Sequence, residues 1–279
     1  MTRTVLLALD TSTEFCSVAL LSASTASVTS AATPTSSDPL IWVRHEATGA
    51  VSSARLLPAI RELFDEAGLA LSDCDAIAFG AGPGSFTGLR TATGVAQGLA
   101  FGLNRPVVPV STLLACAESA RSRDPSAARV LVALDARMDE VYWADYAWDE
   151  PQGEWRTVRA ASLDAPGQVG LPDAPFTLAG NAAAVFGARL PACDAARVVD
   201  SEALPHAVPL AFAALRAFRA GRTVSADEAA PEYVRNKVAQ TTVERLAAKA
   251  AQTTGVAVAP VAHESANPRP KTTRGEGTR

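Results

Sequence analysis

Apolar residues along the chain gather in short runs separated by polar or glycine-rich breaks, and the spacing within the runs assigns most of them to strands or helices. Residues 5–9, Val-Leu-Leu-Ala-Leu, form a run that ends at Asp10. A polar loop, Thr11-Ser12-Thr13-Glu14, separates it from a second run at 16–21. Two short apolar runs joined by a tight polar loop predict a β-hairpin. Residues 22–39 are Ser, Thr, Ala and Pro with almost no charge, which predicts a loose insertion. A strand resumes at 40–43. Residues 53–67 carry helical spacing, with Leu56, Leu57, Ile60, Leu63, Phe64 and Ala67 on one stripe and Gly68 as the stop. Pro58 fits that helix best in its first turn, where a missing N–H costs least. A strand at 75–79 leads into a glycine-rich turn at 80–88 and a helix at 87–102. A strand at 107–110 and a helix at 112–120, with Ser111 as its cap, follow.

The second half begins by repeating the first. Val130-Leu131-Val132-Ala133-Leu134-Asp135 matches Val5-Leu6-Leu7-Ala8-Leu9-Asp10 at all but one position, 125 residues on. After each aspartate come a short polar loop and another strand-like run, here at 141–146. Two copies of strand, aspartate, loop and strand half a chain apart indicate a duplicated lobe. Beyond it, residues 149–175 read as loop, 176–178 as a strand, 181–190 as a short helix, 209–220 as a helix and 231–235 as an extended stretch. The expected division is a first lobe at 1–105, a second at 106–228, a segment at 229–250 returning toward the first lobe, and a disordered tail at 251–279. Residues 250–279 carry a net charge of +2 and no periodicity.

Composition narrows the function classes. The 279 residues are 48% hydrophobic but only 6% aromatic, so buried area comes from aliphatic side chains and close backbone packing. A net charge of −4 argues against a protein whose own surface grips nucleic acid through many phosphate contacts. No apolar run approaches the ~20 residues of a membrane span, and the five apolar residues before Asp10 fall short of the ~7 of a signal-peptide core. Cys16, Cys74, Cys116 and Cys193 are far apart, as are the three histidines, so neither a metal cage nor a disulfide framework is indicated. The expected location is the cytoplasm.

An aspartate at the tip of a strand, followed by a small-residue turn, is how two-lobed sugar kinases and actin-like ATPases hold Mg²⁺ and phosphate. Such loops need small residues because backbone N–H groups must approach the phosphates closely. Asp10, Ser12 and Thr13 offer hydroxyls without glycine, and Asp135-Ala136-Arg137-Met138 offers neither. The expected adenosine loop, Ala179-Gly180-Asn181, is thin. Two readings stand: an autonomous ATPase or kinase using Asp10 and Asp135, or a scaffold in which both aspartates only cap their loops. Gly80-Ala81-Gly82-Pro83-Gly84-Ser85-Phe86-Thr87-Gly88 is either a phosphate cradle or a tight turn with Ser85 as N-cap, and it lacks the Gly-Lys-Ser/Thr of a P-loop. On the next helix Gly94, Gly98 and Gly102 recur every fourth residue, in line with Arg90. Each interior glycine costs ~1 kcal/mol against alanine. The stripe therefore packs against the protein's own sheet or helix, or it receives a partner's helix.

The run Gly-Pro-Gly-Ser-Phe-Thr-Gly-Leu-Arg at 82–90, Val95-Ala96-Gln97-Gly98-Leu99-Ala100, Leu134-Asp135-Ala136-Arg137-Met138-Asp139-Glu140-Val141-Tyr142 and Pro231-Glu232-Tyr233-Val234-Arg235-Asn236 together closely resemble the bacterial TsaB (YeaZ) family. The resemblance implies an α/β, duplicated two-lobed actin/Hsp70-like (ASKHA, ribonuclease H-like) fold. It also implies a non-catalytic subunit of the machinery that makes tRNA N6-threonylcarbamoyladenosine. Its partners would be the catalytic paralogue TsaD, which it binds and activates, and the ATPase TsaE, with tRNA engaged only through the complex. No residue would be catalytic or metal-binding. No cofactor would belong to the lone chain, ATP or ADP being possible only at the partner interface, and a homodimer is an alternative in the partner's absence. The interface would use the helices at 53–67 and 87–102, through Arg55, Leu56, Ile60, Leu63, Phe64, Arg90, Gly94, Gly98 and Gly102. Asp10, Ser12, Thr13 and Asp135 would be vestigial nucleotide residues. The absence of a histidine pair at Thr112 and Cys116 fits a non-catalytic paralogue.

Overall fold

The two runs ending in aspartate are the central strands of two sheets. The structure, a computed structural model, describes residues 3–24 and 39–235. In the first sheet β1 (Arg3–Asp10) pairs antiparallel with β2 (Phe15–Ser24), and β2 pairs antiparallel with β3 (Leu40–Ala47). On its other side β1 pairs parallel with β4 (Ala76–Gly82), and β4 pairs parallel with β5 (Val107–Ser111). The second sheet is built the same way. Its centre, β6 (Arg129–Asp135), pairs antiparallel with β7 (Val141–Asp149), which pairs with β8 (Glu154–Asp164). On the other side β6 pairs parallel with β9 (Thr177–Ala179), which pairs with β10 (Val198–Asp200). The orders β3-β2-β1-β4-β5 and β10-β9-β6-β7-β8 are one topology used twice, as the internal repeat predicts.

Alternation along the central strands places side chains on both faces of each sheet. Val5, Leu7 and Leu9 join Val18, Leu20, Ile77 and Phe79 in one core. That core is covered by α1 (Ser52–Ala67), through Leu56, Ile60, Leu63 and Phe64, and by α2 (Phe86–Leu103), through Ala92, Ala96 and Ala100. Leu6, Ala8, Ala19 and Leu21 face the other way, onto α6 (Ala207–Arg219). In the second sheet Val130, Val132 and Leu134 pack on α3 (Thr112–Arg123), while Leu131 and Ala133 pack on the short helices α4 (Ala182–Phe186) and α5 (Ala192–Ala195) with Phe186 and Leu190. Helices α3 and α6 pack on one another, so the two lobes share a helical layer.

Several expectations need correction. The stretch at 149–175 is not mainly loop, because β8 spans eleven of its residues. Ser22–Ser24 extend β2 rather than open an insertion, and residues 25–38 lie outside the described residues. Pro58 is inside α1, not in its first turn. The carbonyl it leaves unpaired belongs to Ala54, and both residues are exposed, so water can serve it. Ser111 precedes α3 but its hydroxyl makes no cap bond. β5 belongs to the first sheet although its residues follow 105, and α6 covers that sheet although it follows 206. The tail at 251–279 and most of the segment at 229–250 lie outside the described residues.

Candidate functional site

Asp10 ends β1 with its side chain fully buried. Its Oδ1 accepts from the Ser12 backbone N–H at 3.0 Å and the Ser12 hydroxyl at 2.8 Å, closing a local turn. Its Oδ2 is buried without a partner. Burial dominates over those two bonds and pushes the carboxyl up to about 6. The glycine-rich turn lies directly against this loop. Ser85 N–H donates to the Ser12 carbonyl at 2.8 Å, and the Thr11 hydroxyl donates to the Gly88 carbonyl at 2.7 Å. The glycines are there for contact. A Cβ on Gly80 would collide with Asp10 Oδ2, one on Gly84 would stand 2.7 Å from Ser12, and one on Gly88 would collide with the Thr11 carbonyl. The Thr112 hydroxyl donates to the Pro83 carbonyl at 2.5 Å and seals the turn from α3. Ser85 serves as the N-cap of α2, accepting from Gly88 N–H at 3.3 Å. Of the two readings of the glycine run, the geometry is that of the tight turn.

The second loop is open but occupied by its own side chain. Asp135 Oδ1 accepts from Arg137 N–H at 2.8 Å, and the Arg137 guanidinium reaches Asp135 Oδ2 at 3.1 Å. Asn181 Oδ1 accepts from Asp135 N–H at 2.9 Å. Arg137, Met138 and Asp139 all hold positive φ angles, a costly run for residues other than glycine. The residues for a Mg²⁺–nucleotide therefore do not fit one. The first carboxylate faces a backbone wall, the second is paired with an arginine, and Ser12 and Thr13 serve their own turn. Thr13 Oγ1 accepts from Phe15 N–H at 3.2 Å. Among the described residues no group of three or more His, Cys, Asp or Glu side chains is placed to hold a metal ion.

A strap from the end of the described chain crosses both loops. Glu232 N–H donates to the Ala81 carbonyl at 2.7 Å, so the strap pairs with the end of β4. Gly82 holds φ +126° there, and a Cβ on it would lie 2.5 Å from the Glu232 carbonyl. Gln97 Nε2 donates to the Ala229 carbonyl at 2.8 Å. Three residues after Glu232, Arg235 donates to the Ala136 carbonyl at 3.0 Å and pairs with Glu140 at 2.6 Å. The sequence predicts an extended stretch at 231–235 within a segment returning toward the first lobe, but not these contacts.

The helices expected to meet a partner divide into two kinds of residue. Leu56, Ile60, Leu63 and Phe64 are buried in the chain's own core, so they are not available to a partner. Arg55 is held by Glu46 and Glu62, both at distances near 2.7 Å, in a network that includes Arg44. The outer side of α1 shows Leu57 instead, with Val51 exposed just before the helix. On α2 the glycines are exposed, and a Cβ on Gly94, Gly98 or Gly102 would meet nothing within 4 Å. Beside them Phe101 is 83% exposed. The stripe thus makes no close contact with the protein's own described residues.

Two copies of one sheet topology, each with an aspartate closing its central strand, define a fold of the actin/Hsp70 type, here with the first aspartate loop packed under the glycine-rich turn and the second closed by its own exposed Arg137. Comparison with known proteins gives the family. A model for "TsaD: tRNA N6-adenosine threonylcarbamoyltransferase" matches residues 46–254. The tRNA threonylcarbamoyladenosine biosynthesis protein TsaB of Escherichia coli (strain K12) is 36% identical over 84% of this chain and 96% of its own length. The protein of the same name from Haemophilus influenzae is 35% identical over 85% of this chain and 96% of its own. A crystal structure from Pseudomonas aeruginosa, described as an uncharacterized protein with similarity to peptidase YEAZ, superposes with a TM-score of 0.71 at 42% identity, covering 83% of this chain and 100% of its own. The chain belongs to the TsaB (YeaZ) family.

Proposed function

We propose that this chain is a non-catalytic subunit in tRNA N6-threonylcarbamoyladenosine biosynthesis, docking onto a TsaD paralogue through the outer face of α2 and activating it. The names of the relatives support the pathway. The observation that carries the docking role is the exposed stripe Gly94, Gly98 and Gly102. Three interior glycines cost roughly 3 kcal/mol of helix stability, and no described residue approaches them closely enough to offset that. A second helix does so by coming near the bare backbone, with Phe101 and Leu57 as flanking apolar contacts. In this reading tRNA and the TsaE ATPase are engaged through the assembly in the cytoplasm, and any ATP or ADP binds at the partner interface. A homodimer over the same face is the alternative occupant when TsaD is missing.

Reconstituted tRNA modification with and without this chain tests the pathway. Gly98→Leu tests the face. A leucine there points into open space, so the expected result is an unchanged melting temperature with loss of TsaD from a pull-down. Retention of TsaD at wild-type level overturns the docking role. The autonomous ATPase or kinase reading is tested by calorimetric titration of the lone chain with Mg·ATP. Micromolar binding that disappears in Asp10→Ala would establish it instead.

A further inference from the structure

We propose that Tyr233 holds Arg90 as a preset hydrogen-bond donor for a carboxylate of the docking TsaD paralogue; this rests on the docking face described above. Arg90 lies on the exposed side of α2, one turn before Gly94, so it belongs to the same stripe. Its Nε donates to the Tyr233 hydroxyl at 3.0 Å, and its guanidinium carbon stands 3.8 Å from the centre of the Phe86 ring. The Phe86 and Tyr233 rings are 5.4 Å apart and tilted by 35°. These are the contacts Arg90 makes among the described residues, and neither partner is charged.

The arrangement spends one donor on a neutral oxygen and leaves the terminal pair, Nη1 and Nη2, of an exposed residue without a hydrogen-bond acceptor among the described residues. Two parallel N–H groups at the end of a planar guanidinium match the two oxygens of a carboxylate. A free surface arginine loses rotamer freedom when it is captured. Here Phe86 fixes the plane and Tyr233 fixes the edge before any partner arrives, which removes much of that cost. Tyr233 is itself held from both sides, by the Glu232–Ala81 backbone bond and by Arg235 on Ala136 and Glu140. The strap therefore acts through Arg90: Tyr233 is a positioning residue, and Arg90 makes the contact. A positive group with no charged partner among the described residues, beside bare helix backbone and on a chain of net charge −4, selects a partner helix with an Asp or Glu at the crossing.

The test is calorimetric titration of the full chain with TsaD, at low and high salt, for wild type, Arg90→Ala, Arg90→Lys, Tyr233→Phe and the Arg90→Ala/Tyr233→Phe pair. Arg90→Ala is expected to weaken binding about tenfold, a change of ~1.4 kcal/mol, and to flatten its salt dependence. Arg90→Lys is expected not to restore it, because an ammonium lacks the paired donors. Tyr233→Phe is expected to weaken binding about threefold with an unchanged melting temperature, and the double variant to match Arg90→Ala alone. Wild-type affinity in Arg90→Ala and Tyr233→Phe, while Gly98→Leu still abolishes binding, overturns the proposal and leaves the docking face standing. Additive losses in the double variant overturn the positioning role of Tyr233. Arg90→Ala losing tRNA affinity in the assembled complex, with TsaD affinity unchanged, overturns the carboxylate in favour of a phosphate. Failure of the wild type to bind TsaD removes the docking reading itself.

Discussion

The ends of β1 and β6 carry the same six-residue pattern, the same aspartate and the same place in two sheets of one topology, yet they have become opposite sites. At the first, the neighbouring turn closes on the aspartate until glycine is the only residue that fits at three positions, and one carboxylate oxygen is buried without a hydrogen-bond partner among the described residues. At the second, the aspartate stays near the surface and its own loop folds back so that an 86%-exposed arginine covers it. Identity of strand and residue does not carry identity of chemistry. What surrounds the carboxylate decides, and the two lobes supply those surroundings from different elements: α2 and its turn in one, three left-handed residues in the other.

Three substitutions probe that contrast. The largest effect is expected for Gly88→Ala. Its methyl group meets the Thr11 main chain, which cannot rotate away, so urea denaturation should show a loss on the order of 3–4 kcal/mol. A loss below about 1 kcal/mol would mean the turn is not tightly seated on the first loop. Next comes the pH dependence of Asp10. Its carboxyl titrates near 3.8 when unfolded and about 6 when folded, so the folded state favours the protonated form. The stabilisation is full below the unfolded value and is lost as pH rises through the folded one, a change of up to about 3 kcal/mol. Asp10→Asn keeps an acceptor for Ser12 and cannot ionise, so the stability difference between variant and wild type should grow in the variant's favour across that window and then level off. A difference independent of pH would show that Asp10 is not the buried acid described here. The smallest effect belongs to the second lobe. Arg137→Ala removes a solvent-exposed ion pair and should change stability by no more than about 0.5 kcal/mol; a shift beyond 1 kcal/mol would make the second loop as tightly built as the first.

The sequence exposed the repeat because both central strands are buried on both faces, and such strands admit only apolar residues. β8 was hidden for the converse reason. It is an edge strand that buries Trp155 and little else fully, so charged residues such as Glu154, Arg156 and Arg159 are tolerated and no alternation survives. The apolar stripe of α1 was legible, but its meaning was not. Leu56, Ile60, Leu63 and Phe64 mark the side that faces inward, as the apolar side of a surface helix usually does. A contact face for another protein on the same helix must then lie on the other side, where Leu57 stands singly, with Val51 exposed just before the helix. The glycines of α2 were legible as a cost to the helix, but the sequence left internal packing and a partner as alternatives, and only the fold shows that no described residue approaches them. A return of the chain toward the first lobe was expected, but the strap's particular contacts were beyond reach, because they join residues about 100 to 150 positions apart.

Helix α6 has a consequence for the order in which the molecule is completed. The first sheet is synthesised first, but the helix that covers Leu6, Ala8 and Leu21 begins at Ala207, and Ser17 Oγ waits for the backbone N–H of that same residue, 2.9 Å away. Until that helix leaves the ribosome, one side of the earliest-made sheet is a bare apolar plate, open to chaperones or to misassociation. The strap that fixes Arg90 emerges later still. The half of the chain made first is therefore the half finished last, and the face proposed for docking is complete only once nearly the whole described chain has been made.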